Sequence, residues 1–122
     1  MMNEDQRANA ACPCLDAETH FCGFEKKAIG IDEQYGEVAV WTCKNCGRKW
    51  LHYFVEYEYL TGAGRMFTGI ISPAVLAGIT AGNAVDAFEA MDWYFRGGSA
   101  FGDTLLRTTG SLKPWLIPFP GR

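Results

Sequence analysis

The sequence has no long apolar run, no internal repeat and no low-complexity stretch. Each absence excludes a class of protein. Its longest fully apolar segment is a few residues, whereas a transmembrane helix needs about 20. The opening Met1-Met2-Asn3-Glu4-Asp5-Gln6-Arg7 lacks the basic start and apolar middle of a secretory signal, so the expected location is the cytoplasm and no membrane partner is expected. Charge is scarce: 20% of the 122 residues are charged, against 48% hydrophobic and 14% aromatic. That balance describes a chain that buries a core as one domain, not a disordered or solvating segment.

Catalytic patterns are missing too. The glycine-rich stretch Arg96-Gly97-Gly98-Ser99-Ala100-Phe101-Gly102-Asp103 has neither the lysine of a phosphate-binding loop nor a strand signal before it, so it reads as a turn. No Ser, His and Asp spacing argues for a hydrolase. The expectation is a protein that is not an enzyme.

Five cysteines are present, at 12, 14, 22, 43 and 46. A reducing cytoplasm disfavours disulfides, and two close groups of thiols suit a four-coordinate metal, each tight turn supplying two sulfurs. Cys43-Lys44-Asn45-Cys46-Gly47 is the strongest signal. Two intervening residues let both sulfurs reach one ion, and Gly47 suits a chain that turns back through positive φ. On the other side Cys12-Pro13-Cys14 has a shorter spacing that still chelates. The expected metal set is Cys12, Cys14, Cys43 and Cys46, with Cys22 or His20 as replacements for one of the first pair. His52, on a strand, reads as a sheet side chain. Four thiolates close the coordination sphere, so the expected cofactor is structural zinc, with an iron–tetracysteine site as the other occupant of such a set. Redox catalysis through the C-x-x-C pair is disfavoured, because a strand follows it and not the helix N-terminus that activates a thiol.

The order strand, C-x-x-C-G, strand resembles the knuckle of the zinc-ribbon family over residues 12–60. That resemblance implies a small antiparallel sheet and four ligands from two knuckles, Cys43 and Cys46 being one half. The single residue between Cys12 and Cys14 departs from the family's repeated C-x-x-C.

Periodicity supplies the rest. Residues 24–31 and 37–42 read as strands around an Asp32-to-Gly36 turn. Residues 49–59 alternate, with Leu51, Tyr53, Val55, Tyr57 and Tyr59 on one face. The other face, Trp50, His52, Phe54, Glu56 and Glu58, begins apolar and ends charged, so it is expected to be buried only near the metal. A turn at Thr61-Gly62-Ala63-Gly64 leads to a partner strand over 65–71. Ser72-Pro73 is a helix-start signal before a short turn containing Val75, Leu76 and Ile79. Ala84, Ala87, Phe88, Met91 and Phe95 then keep the spacing of one buried helical stripe ended by Gly97-Gly98.

The expected fold is a single α+β domain over 1–122. It comprises a flexible arm (1–11), a zinc-ribbon-like sheet of three or four antiparallel strands (12–71), and one main helix on one face followed by an extended tail (72–122). Residues 1–37 carry eight acids and three bases, while 38–69 carry two acids and four bases. The acidic third would attract a basic protein partner. Aromatics such as Trp93, Tyr94, Phe95, Phe101 and Trp115, together with an apolar tail over 112–120, suit an interface or a capped core. The segment after the knuckle resembles small bacterial proteins, including immunity-type inhibitors of toxins, and no residue role carries over from that likeness. The expected function is non-catalytic protein binding as an inhibitor or adaptor. The alternative is a nucleic-acid-binding ribbon using Lys44, Arg48, Lys49 and Arg65, although the cluster Lys44, Arg48 and Lys49 also balances a dianionic tetrathiolate.

Overall fold

The computed structural model describes residues 12–56 and 63–116. The expected arm, residues 57–62 and the tail beyond 116 lie outside the described residues. Four strands follow the alternating and Val- or Trp-rich segments. They are β1 (Phe24–Ile31), β2 (Glu37–Cys43), β3 (Lys49–Val55) and β4 (Arg65–Ile70). Two further strands, β5 (Tyr94–Gly97) and β6 (Leu106–Thr108), complete a six-stranded antiparallel sheet whose spatial order is the chain order. The sheet is thus larger than the three or four strands expected.

The β1–β2 turn is built by Asp32. Its carboxylate accepts the Gln34 and Gly36 amides at 2.9 and 2.8 Å and the Tyr53 hydroxyl at 2.7 Å. Gly36 lies directly against the Tyr53 ring, where a Cβ would collide with the hydroxyl. Glycine is required there for close approach. The β1–β2 register slips between Ala28 and Gly30, a bulge in an edge strand that carries exposed Glu25, Lys26 and Lys27.

Two short helices follow β4. In α1 (Pro73–Leu76) the Ser72 hydroxyl accepts the Val75 amide at 3.2 Å and Pro73 occupies the first turn, as the Ser-Pro signal implies. Helix α2 (Ala84–Glu89) buries Ala84 and Phe88, but it does not continue to Phe95 as the stripe suggested. Phe95 lies in β5, paired with Thr68 of β4. The spacing of Phe88, Met91 and Phe95 satisfies a helix, yet β5 gives the amides of β4 a partner and sends Tyr94 and Phe95 to opposite faces. Backbone pairing and two-sided burial outweigh the helical period.

Alternation divides the core in two. On one face Val38, Leu51, Tyr53, Val55, Phe67 and Tyr94 pack with Phe88, Ala84 and Leu112. On the other, Trp41, Cys43, Trp50 and Phe95 pack with Cys12 and Cys14. Trp50 and His52 are buried, Phe54 is half-buried and Glu56 is exposed. That strand face therefore opens with distance from the cysteines.

Candidate metal centre

Strand β2 delivers Cys43 at its last residue, and the chain reverses at once. The Gly47 amide donates to the Cys43 carbonyl at 2.9 Å, and the Cys43 amide donates to the Arg48 carbonyl at 2.9 Å. Gly47 has φ +79° with open space around it, so backbone conformation selects glycine there. The second turn is a 3-10 segment, Pro13–Leu15, closed by the Leu15 amide donating to the Cys12 carbonyl at 3.1 Å. It lies over the Trp50 face and is fastened to β6 by Arg107, which donates to the Leu15 carbonyl at 2.7 Å and covers the Trp93 ring at 3.9 Å.

The two turns bring the sulfurs of Cys12, Cys14, Cys43 and Cys46 within 4.8 Å of one another. Cys12 lies 3.5 Å from Cys43, and Cys14 lies 3.6 Å from Cys46. A disulfide needs about 2.05 Å, so these are free thiols. Four ligands at about 2.3 Å from one ion stand about 3.8 Å apart at the corners of a tetrahedron. The donor set and its spacing therefore suit a metal ion.

Hydrogen-bond donors face the sulfurs. The Asn45 amide reaches Cys12 Sγ at 3.2 Å and Arg48 reaches Cys46 Sγ at 3.3 Å. Burial, then the adjoining Cys12 and Cys46 sulfurs, push the Cys14 thiol well above its ordinary range. Cys46 is also raised, chiefly by burial. At Cys12 burial acts upward, but bonds led by the Asn45 amide outweigh it and bring the thiol down to about 6. Crowded thiols, two of them pushed up by burial and by a neighbouring sulfur, are a site where a cation relieves the electrostatics by holding all of them as thiolates.

Among the other candidates, His20 is fully buried and serves the backbone. Its Nδ1 bonds the Cys14 carbonyl at 2.7 Å, and its ring sits among Phe24, Trp50 and Phe95. His52 stacks on Trp41 with centroids 3.8 Å apart, and Lys26 lies over the same indole at 4.1 Å. It is a sheet side chain. Cys22 is exposed, with its sulfur 3.9 Å from Cys43 Sγ.

Sequence reasoning took Arg48 only as a charge balancing the thiolates and missed three contacts: His20 as an anchor for the Cys14 backbone, and Asn45 and Arg48 as hydrogen-bond donors to sulfur. The position of Asn45 inside the C-x-x-C turn and of Arg48 just after it was a usable signal for the latter two.

Fold and site together define a small α+β protein with a cysteine cluster able to hold a metal ion. No protein-family model, curated protein or solved structure matches the chain, and no helix among the described residues is long and apolar enough to cross a membrane.

Proposed function

We propose that the protein is a non-catalytic, zinc-stabilised protein-binding module of zinc-ribbon-like build, acting as an immunity-type inhibitor or an adaptor toward a basic partner in the cytoplasm. One observation carries the metal half of this reading: four sulfurs from two turns fall within 4.8 Å. Four protein ligands fill a tetrahedral sphere and leave no position for a reacting water, which is the signature of a structural ion. Zinc there would clamp the N-terminal segment to the β2–β3 knuckle.

The β1–β2 tip supports the binding half. Ile31 and Tyr35 are 64% and 70% exposed, and Glu33 and Glu37 are exposed beside them. An aromatic and an aliphatic side chain set among carboxylates suit a basic protein surface, with charge steering the encounter. The nucleic-acid alternative is less well supported, because three of its four basic residues have intramolecular work. Arg48 bonds Cys46 Sγ, Lys49 bonds Thr42 at 3.0 Å, and Arg65 bonds the Ala63 carbonyl at 2.7 Å.

Elemental analysis of freshly purified protein is expected to give one zinc per chain and a colourless solution; a red protein means iron. Partner capture from the native host, with the wild type beside Ile31→Ser/Tyr35→Ala, is expected to retain a basic protein that the variant and high salt both release. A partner bound equally by both chains would overturn the tip assignment, and a low-salt gel shift with several nucleic acids would install the alternative.

A further inference from the structure

A fifth thiol adjoins the four. The Cys22 sulfur is 3.9 Å from Cys43 Sγ, close to the about 3.8 Å edge of a tetrahedral zinc–thiolate site. The backbone fixes it on that side. Phe24, two residues on, is the β1 partner of Cys43, and the Gly23 carbonyl accepts the Lys44 amide at 3.1 Å. Cys43 is the sulfur that faces Cys22. Cys22 therefore flanks the cluster beside Cys43, outside the set of four sulfurs that lie within 4.8 Å of one another. It is exposed where Cys12, Cys14 and Cys43 are buried, and Gly23 behind it, with φ +130° and open space around it, leaves room for the turn to adjust.

Resting on the metal reading above, we propose that Cys22 is an exchangeable fifth ligand of the same centre, able to take the place of Cys12. The substituted set, Cys14, Cys22, Cys43 and Cys46, draws three of its sulfurs from the β1–β2–β3 frame and one from the Pro13–Leu15 turn. Of the first pair, Cys14 is held from behind by the His20 ring on its carbonyl, which leaves Cys12 as the one to yield. Ligand exchange keeps four sulfurs on the ion when Cys12 is lost or chemically blocked.

The test compares wild type, Cys12→Ser, Cys22→Ser and Cys12→Ser/Cys22→Ser, each loaded with cobalt(II), whose thiolate charge-transfer absorption scales with the number of bound sulfurs. Wild type, C22S and C12S are expected to show a four-sulfur spectrum, and the double variant a weaker one with affinity lower by tenfold or more. Indistinguishable C12S and double-variant spectra would overturn the proposal. A second measurement needs no core change: C22S is exposed and expected to fold normally, yet to release zinc to a chelator several-fold faster than wild type, because a dissociated Cys12 then has no substitute. Equal release rates also overturn the exchange role. A wild type that binds no ion refutes the metal reading itself, an outcome separable from either of these.

Discussion

The two faces of the sheet are buried by different means. The helix-covered face is filled by volume: Tyr53, Phe67, Phe88 and Tyr94 meet edge-on or tilted with centroids 5.1–6.5 Å apart. The cysteine face carries aromatics too, but it also encloses His20 Nε2, Trp50 Nε1, His52 Nδ1 and Thr68 Oγ1, none with a hydrogen-bond partner among the described residues, whereas on the other face Arg96 Nε, on the residue opposite Phe67, is in the same condition. Each such atom weakens the native state by about 1–3 kcal/mol. A face with that chemistry needs something beyond apolar contact to hold its cover down, and the thiol cluster is placed to provide it.

The largest effect expected from this contrast is metal removal. A structural zinc contributes about 10–16 kcal/mol of apparent binding free energy near neutral pH. Chelation or Cys43→Ser should therefore collapse the melting temperature and detach residues 12–22, read by hydrogen exchange. A melting curve unmoved by chelator would remove the metal from the account. Phe67→Ala, on the opposite face, should cost about 3–5 kcal/mol while leaving one metal per chain, since its cluster does not include a cysteine. Loss of metal in that variant would show the two faces to be one cooperative unit.

Acid sharpens the comparison. Burial, then the charges of Lys26 and His20, hold the His52 imidazole down at about 3, against about 6.5 in an unfolded chain. The unfolded chain gains the proton first, so the stability from this residue is complete above pH ~6.5 and declines as pH falls from there toward 3. His52→Phe should flatten the acid slope of unfolding free energy by about one proton relative to wild type at equal metal concentration. Parallel curves for the two proteins would mean that His52 is not held neutral. The smallest effect is Thr68→Val: exchanging a buried, unpartnered hydroxyl for a methyl should raise stability by about 1 kcal/mol in chemical denaturation. A loss instead would reveal an ordered water on that oxygen.

Much of this contrast was legible beforehand. The alternation over 49–55 separated Leu51, Tyr53 and Val55 from Trp50 and His52, and its charged end predicted where the second face opens. The C-x-x-C-G spacing announced a knuckle with a positive-φ glycine. What escaped notice depends on long-range pairing. Residues 84–95 fit a helical stripe, and only β4, distant in sequence, makes a strand of Tyr94 to Gly97. Leu106 to Thr108 are three exposed or half-exposed residues with no apolar rhythm, ordered by β5 alone. Spacing likewise named Cys12, Cys14 and Cys22 without saying which lay nearest Cys43, because that depends on the β1–β2 register for Cys22 and on how the Pro13–Leu15 turn seats on the sheet for the other two.

The clasp between Arg107 and the Leu15 carbonyl joins groups 92 positions apart. During synthesis the chain can pair β1 through β3 and gather its thiols while β6 is still inside the ribosome, so ion capture would precede the fastening of the N-terminal turn. The last described strand then acts as a latch thrown over an assembled thiol cluster, and a chain cut short before it would leave that cluster behind a door left ajar.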